Sequence, residues 1–469
     1  MKRVNVQIED QYTQEALLTI SQTVTSHGGK ALLVGGCVRD TLSGVTPRDF
    51  DVEVYGIAPT TLIDLLSSHF QVNVVGEAFG VLKIHGLPID VSVPRRESKI
   101  GRGHRGFEII ADVGMTLEDA ASRRDFTINA MAIDLVTHEF LDPFGGFKDL
   151  ENHILQHTSP KFCEDPLRVL RGQQFAGRFG LTAATETIQM AKGLFKEYET
   201  LPIERIWAEW YKWAAQSTKP SFGLVWLQET DWLQAYPELV ALEGCPQDPR
   251  WHPEGDVWTH TLHVTDEAAQ IGERDVLAVE DRATLVLAAL CHDLGKPATT
   301  EITDQGIVSR KHSQTKETYQ QFLQRIGAPL KIVDRVVALC LNHLTHLDFV
   351  GSSRHVRRLA LALSSCGETI EMLSRLVEAD NSGRPPLPKN LPEKMKQMSV
   401  MATGLEIKKS GPQPILLGRH LLNLGMKPGP HMGEILKAAF EAQLDGQFET
   451  LKESKEWLSR EGLLPTDQK

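Results

Sequence analysis

No apolar run in this chain approaches the roughly 20 residues a bilayer-spanning helix needs, so a membrane protein is not expected. The opening Met1-Lys2-Arg3-Val4-Asn5 lacks the apolar core of a secretory signal. Cysteine is scarce and scattered: the six, at Cys37, Cys163, Cys245, Cys291, Cys340 and Cys366, include no Cys-x-x-Cys pair. That argues against a disulfide framework and a cysteine zinc site, and with the other absences predicts a reducing, cytoplasmic setting. Positive charge is in deficit too. A net charge of −11 excludes a generally basic nucleic-acid binder, so any RNA surface has to be local. Internal repeats and low-complexity tracts are also missing. What remains, 469 residues with 41% hydrophobic and 24% charged content, is an ordinary globular composition long enough for several domains.

The most informative stretch begins at Ala31. Ala31 to Val34 is an apolar run of strand length, ended by Gly35-Gly36. Val38 to Leu42 predicts a short helix closed by Ser43-Gly44, and a second strand runs from about Asp49 to Tyr55. Strand alternation sends Phe50, Val52 and Val54 to one face and Asp49, Asp51 and Glu53 to the other. Two carboxylates so placed can hold Mg²⁺ ions between them. The glycine pair and the following helix offer backbone N–H groups to a phosphate, and Arg39 adds charge. A lone Gly-Gly is usually a turn, and a lone Asp-x-Asp usually a solvated edge. In this order they supply what nucleotidyl transfer from a nucleoside triphosphate requires.

Gly-Gly-x-x-Arg-Asp followed by Asp-x-Asp resembles the nucleotidyltransferase superfamily, in the branch holding class II tRNA nucleotidyltransferases and bacterial poly(A) polymerases. Further stretches match that branch. Val81 to Ile84 and Ile89 to Val93 read as a hairpin, with Asp90 where the superfamily places a third, secondary carboxylate. Arg95, Arg96, Lys99, Arg102, His104 and Arg105 form a basic, glycine-rich stretch, expected to be a mobile loop near the active site. Thr116 is positioned to cap a helix leading into Arg123-Arg124-Asp125-Phe126-Thr127-Ile128-Asn129-Ala130. The resemblance makes this a helix joining head to neck, with Arg124, Asp125 and Asn129 near the triphosphate or ribose.

Glu164-Asp165-Pro166-Leu167-Arg168 then puts Arg168 and Arg171 on one helix face, by itself a common salt-bridged helix start. In the resembled family such a motif reads the base. A carboxylate accepts from the exocyclic amine of C or A, while a guanidinium donates to ring acceptors. The pattern breaks just beyond: where the family continues Ala-x-Arg-Phe, this chain has Gly172-Gln173-Gln174-Phe175. Gln174 thus bears on nucleotide preference.

A second constellation lies downstream. The apolar stretch Asp281 to Cys291 ends in His292-Asp293, with His260 before it and His312, His343 and Asp380 after it. Single histidines are more often structural than ligating. Here His260, His292, Asp293 and Asp380 match, in order, the H…HD…D pattern of HD phosphohydrolases, whose ligands bind a divalent metal that activates water. His312 and His343 are available to complete a second metal site or to contact phosphate. The proline-rich stretch Arg384 to Pro392 reads as a linker, and a tail helix is expected from about Met432.

The resemblance covers nearly the whole chain and implies an α+β fold. A polymerase β-like head with a mixed sheet (1–150) precedes an all-helical neck (151–225), an HD body (226–385) and a linker with a tRNA-binding helical tail (386–469). It implies template-independent addition of CMP and AMP from CTP and ATP to tRNA. Asp49 and Asp51 would bind Mg²⁺, with Asp90 secondary. Gly35, Gly36, Arg39 and Arg124 would hold the triphosphate, and Asp165, Arg168 and Arg171 would select the base. The HD site would take a divalent transition metal. Alternatives are addition of only CC or only A, poly(A) synthesis, or an HD hydrolase carrying a non-catalytic RNA-binding head.

Overall fold

The computed structural model describes residues 2–75, 81–99, 107–304 and 306–464. The chain divides into two compact units, one of Met1–Trp213 with Ser217–Ala235, the other of Ala214–Gln216 with Tyr236–Lys469.

The first unit is built on strands β1 (Lys30–Val34), β2 (Phe50–Tyr55), β3 (Val72–Val75), β4 (Val81–Ile84), β5 (Ile89–Ser92), β6 (Arg95–Lys99), β7 (Phe107–Ala111), β8 (Ala132–Asp134) and β9 (Phe140–Leu141). Seven of them form one sheet in the order β3-β4-β5-β2-β1-β8-β9. The β2–β5 pair is parallel and its neighbours are antiparallel, so the sheet is mixed. Helix α1 (Gln11–Ser26) starts where Asp10 accepts the Thr13 N–H. Its Ala16, Leu17, Ile20 and Val24 pack with Leu33, Phe50, Val52, Ile89 and Val91 in one core. That core covers one sheet face. On the other face Leu32, Val34 and Ala132 of β1 and β8 form a small apolar cluster, while β2 alternates so that Phe50, Val52 and Val54 are buried and Asp51 is exposed.

Two expectations are corrected here. Arg95 to Lys99 is not loop but strand β6, paired antiparallel with β7. Arg102, His104 and Arg105 lie outside the described residues. Nor do Arg123, Arg124 and Asp125 lie on a helix. Helix α2 (Gly36–Leu42) forms after the glycine pair, α3 (Pro59–Ser67) follows β2, and α4 (Leu117–Ala121) stops two residues before Arg123. The backbone then turns and bonds to a later segment: the Thr158 N–H donates to the Asp125 carbonyl and the Thr127 N–H to that of Gln156. Only the short 3-10 turn Thr127–Asn129 is helical.

After α5 (Gly146–Glu151), the helical part of the first unit centres on α6 (Leu167–Phe179), closed by Gly180 at φ 62°. It packs against the helix Pro220–Glu229, with Trp226 Nε1 donating to the Val169 carbonyl at 2.7 Å. Gly172 sits beneath that indole, where a Cβ would come within 2.8 Å of the ring. This accounts for glycine where the family pattern has alanine. Gln174 is buried in α6.

The second unit is mainly helical. Helix Val279–Cys291 is buried continuously from Ala283 onward and runs among helices Val257–Arg274, Leu330–Asn342 and Ile370–Ser382. Towards the C-terminus, Leu421, Ile435, Ala439, Phe448 and Trp457 form a separate apolar cluster around the helix Pro430–Leu444.

Candidate active site and metal centre

In the first unit, Gly35 turns the chain at φ +73°, a conformation that favours glycine. A Cβ there would lie 2.9 Å from Arg124 Nη1 and 3.6 Å from Asp51 Oδ2. The guanidinium and the carboxylate thus both border the glycine turn at the head of α2. Arg124 also donates to the Asn129 carbonyl at 3.4 Å. Although the Asp51 side chain reaches solvent, the cleft walls strip enough water from its carboxyl to push the pKa up; Arg124 opposes this, while Asp90 and Asp49 add to it. Such repulsion is what a bound cation relieves. Asp49, Asp51 and Asp90 line one cleft of about 520 Å³. Asp90 is not isolated there: Lys83 Nζ lies 2.6 and 2.9 Å from its two oxygens.

Arg39 takes a different place from the one its motif suggests. It is 3% exposed and bonds to Asn129 Oδ1 (2.5 Å) and Asp40 Oδ1 (2.7 Å), and lies 4.5 Å from the Phe179 ring centroid. Asn129 in turn donates to Asp125 (3.0 Å), and Arg171 Nε donates to the other Asp125 oxygen (2.6 Å). A continuous polar chain therefore links α2 to α6. Burial raises the Asp125 pKa, but Arg171 and Asn129 outweigh it and hold the carboxyl below its ordinary value. Arg168 donates to the carbonyls of Lys161 (2.7 Å) and Arg123 (2.6 Å). Asp165 accepts the Leu167 N–H at 3.0 Å and meets Arg205 at 3.3 Å.

In the second unit the side chains of His260, His292, Asp293, Asp380, His312 and His343 converge. His260 Nε2 lies 3.4 Å from His292 Nε2 and 3.2 Å from Asp380 Oδ1. Asp293 faces His292 through one oxygen (3.2 Å) and His312 through the other (3.3 Å). Two ligand groups, His260/His292/Asp293 and Asp293/His312/His343, each have donor atoms within 4.8 Å of one another and share Asp293.

Helix ends aim these rings. His292 and His343 follow the last turns of their helices, and each Nδ1 bonds the carbonyl three residues back, Ala289 at 2.7 Å and Cys340 at 2.6 Å. His312 does the same with Ser309 at 2.8 Å. With Nδ1–H so committed, each Nε2 carries a lone pair for a metal. Burial, reinforced by His292, lowers the His343 pKa to about 3 and keeps that ring neutral. Asp293 and Asp380 stay ionised despite burial, because His292 and Lys296 surround the first and His260 and His292 the second. The donor set fits a divalent cation.

Sequence reasoning missed several partners. His260 Nδ1 lies 2.8 Å from Glu254 Oε1, which also takes His252 Nδ1 at 2.9 Å. Lys296 Nζ sits 2.7 Å from Asp293 and 2.6 Å from Gln247 Oε1. The sequence signal for Lys296 was its place three residues after Asp293, one helical turn away. Glu254 precedes its helix and offered none.

Residues 31–156 match the Poly A polymerase head domain and residues 257–365 the HD domain. Over 366 residues, 76% of this chain and 84% of the relative, the sequence is 37% identical to the multifunctional CCA protein of Xylella fastidiosa (strain 9a5c). The chain belongs to the class II tRNA nucleotidyltransferase family. The corresponding protein of Stenotrophomonas maltophilia is 35% identical over 372 residues, 76% of this chain and 86% of that one. The fold of this class II nucleotidyltransferase extends along the whole chain. The Bacillus stearothermophilus CCA-adding enzyme in complex with CTP superposes with a TM-score of 0.61 at 23% identity, covering 97% of this chain and 98% of that one. The Thermotoga maritima CCA-adding enzyme complexed with tRNA gives 0.58 at 18% identity, covering 98% and 100%. Both metal-binding domains of the family are thus present, and no described helix is long and apolar enough to cross a membrane.

Proposed function

We propose that this chain adds CMP and AMP from CTP and ATP to the 3′ end of tRNA, building or repairing the terminal CCA. The observation that carries this reading is the meeting of Asp51, Gly35 and Arg124 at the end of β1. Asp49 and Asp51 would hold Mg²⁺, which when bound acidifies the RNA 3′-hydroxyl and neutralises the departing pyrophosphate. The Gly35-Gly36 turn presents backbone N–H groups to the triphosphate, and Arg124 adds charge beside it. Arg39 acts one step back: buried against Phe179, it holds Asn129 and with it the Arg124 turn. Arg171 is the base reader this arrangement favours, since Asp125 fixes its Nε while its side chain stays 35% exposed. Asp165 and Arg168 flank it at the start of α6.

A second activity follows from the two ligand groups that share Asp293. The imidazoles of His260, His292, His312 and His343 with Asp293 would hold a divalent transition metal, which would supply the water activation that hydrolysis of a phosphate monoester or a 2′,3′-cyclic phosphate needs.

The test uses tRNA lacking CCA, lacking CA and lacking only A, incubated with labelled CTP, ATP or both, the products sized on a gel. Addition should stop at CCA, and Asp49→Ala should abolish it. A long A ladder would identify a poly(A) polymerase, and arrest after CC a partial enzyme. Incorporation that persists in Asp49→Ala would remove the two-carboxylate mechanism. Release of phosphate from cyclic ends by a protein that incorporates nothing would leave only the hydrolase.

A further inference from the structure

The exposed sheet face carries a polar row of which the proposed mechanism uses only one end. Strand register sets Val34 beside Asp51, Asp51 beside Asp90, Asp90 beside Lys83 and Lys83 beside Asn73. The polar members are Asp51, Asp90, Lys83 and Asn73, one from each of β2, β5, β4 and β3, and the buried Val34 of β1 ends the row. Gly35 and Arg124 border Asp51 from the β1 end. Lys83 and Asn73 approach from the other, two and three strands away, and with His85 they line the same cleft as the three carboxylates. Two strand spacings place Lys83 about 10 Å from Asp51 along the row.

In-line displacement sets the attacking and leaving oxygens on opposite sides of the transferred phosphorus. With the pyrophosphate on the Gly35 side, the attacking RNA end has to enter from the Lys83 side. Among the described residues lining the cleft, Lys83 is the cation on that side. Among the described residues its ion-pair partner is Asp90, and at side-chain exposures of 52% and 36% that pair is weak and readily exchanged.

We propose that Lys83 binds the last phosphodiester of the acceptor RNA, giving up Asp90 in the exchange. Asp90 is then released to join Asp49 and Asp51 as the RNA arrives. The proposal rests on the nucleotidyl-transfer reading above.

The test compares full-length wild type, Lys83→Gln and Lys83→Arg in CMP incorporation into tRNA lacking CCA, and in binding of that tRNA over a range of salt. Lys83→Gln should raise KM for tRNA about tenfold, the effect of one charged hydrogen bond, and leave KM for CTP within about twofold. The plot of log Kd against log salt should become shallower by about 0.7, the share of one single-strand phosphate. Lys83→Arg should restore both, and an unchanged melting temperature in Lys83→Gln would show that the fold is intact. An unchanged tRNA KM and salt slope in Lys83→Gln overturn the proposal. So does a defect confined to the Mg²⁺ requirement, which would make Lys83 a neutraliser of carboxylates alone. A wild type that incorporates nothing would overturn the nucleotidyl-transfer reading and this proposal with it, whereas failure of the Lys83 effects alone leaves that reading standing.

Discussion

Replacing Glu254 with glutamine removes one charge from the buried histidine cluster while keeping its shape. The Glu254 side chain is 0% exposed, and its Oε1 faces both His252 Nδ1 and His260 Nδ1. The His260 contact is short but off the line of an ideal hydrogen bond, so it acts through charge more than alignment. Glutamine can put its carbonyl oxygen at the Oε1 position and keep the His252 bond. Its amide nitrogen then occupies the Oε2 position, which is buried with no partner, at a stability cost of about 1–3 kcal/mol. Loss of the charge behind His260 weakens the donor strength of Nε2. Outer partners of this kind contribute about 10–100-fold to metal affinity, or ~1.4–2.7 kcal/mol. Glu254→Gln should fall near the lower end and Glu254→Ala near the upper. Calorimetric titration of the metal-free protein with Ni²⁺, Co²⁺ and Mn²⁺ reads this directly, with CMP incorporation expected to stay within about twofold as the control. Wild-type metal affinity in both variants would refute the reasoning, as would an equal loss of incorporation.

Two further substitutions probe the first unit. Gly35→Ala forces a side chain into a glycine conformation at φ +73° and into the space beside Arg124, so stability should fall by about 1–3 kcal/mol. KM for CTP and ATP should rise together; a rise in KM for tRNA alone would contradict the phosphate cradle. Asp125→Asn addresses pH. The Asp125 carboxyl is held below its ordinary value in the folded chain, so its stabilisation is complete above about pH 4 and is lost as pH falls through the folded value. Because Arg171 is partly exposed, the substitution should cost only about 1–3 kcal/mol at neutral pH, a cost that shrinks below pH 4. Denaturant melts at pH 3, 5 and 7 check this, and parallel profiles for the two proteins would exclude it.

Local pattern carried much of this structure. The strand, glycine turn, helix and second strand from Ala31 to Tyr55 were readable because each is set by a few adjacent residues. The side-chain alternation of β2 also fixed which face Asp51 would share. The His292-Asp293 end of a buried helix was equally plain. Arg39 was misleading for a physical reason. Its neighbours in sequence suggest a phosphate ligand, but Phe175, Phe179 and Asn129, supplied by distant stretches, enclose it. The stretch from Arg123 to Thr127 has helical composition, yet the Asp125 carbonyl is taken by the Thr158 N–H and the Thr127 N–H by the Gln156 carbonyl. Strand β6 has no apolar alternation of its own and acquires its conformation from β7. Glu254 reaches His260 by a fold of the chain rather than along a helix face, so no spacing rule revealed it.

The polar chain from Arg39 through Asn129 and Asp125 to Arg171 bears on how such proteins can be recombined. Its members come from three separate stretches of sequence, and removing any one strands a buried polar group in the others. A hybrid of two relatives joined near residue 150 would therefore be viable only where both parents supply complementary members of the chain. The catalytic head and the helix that follows it are inherited as one part, whatever their separation along the sequence.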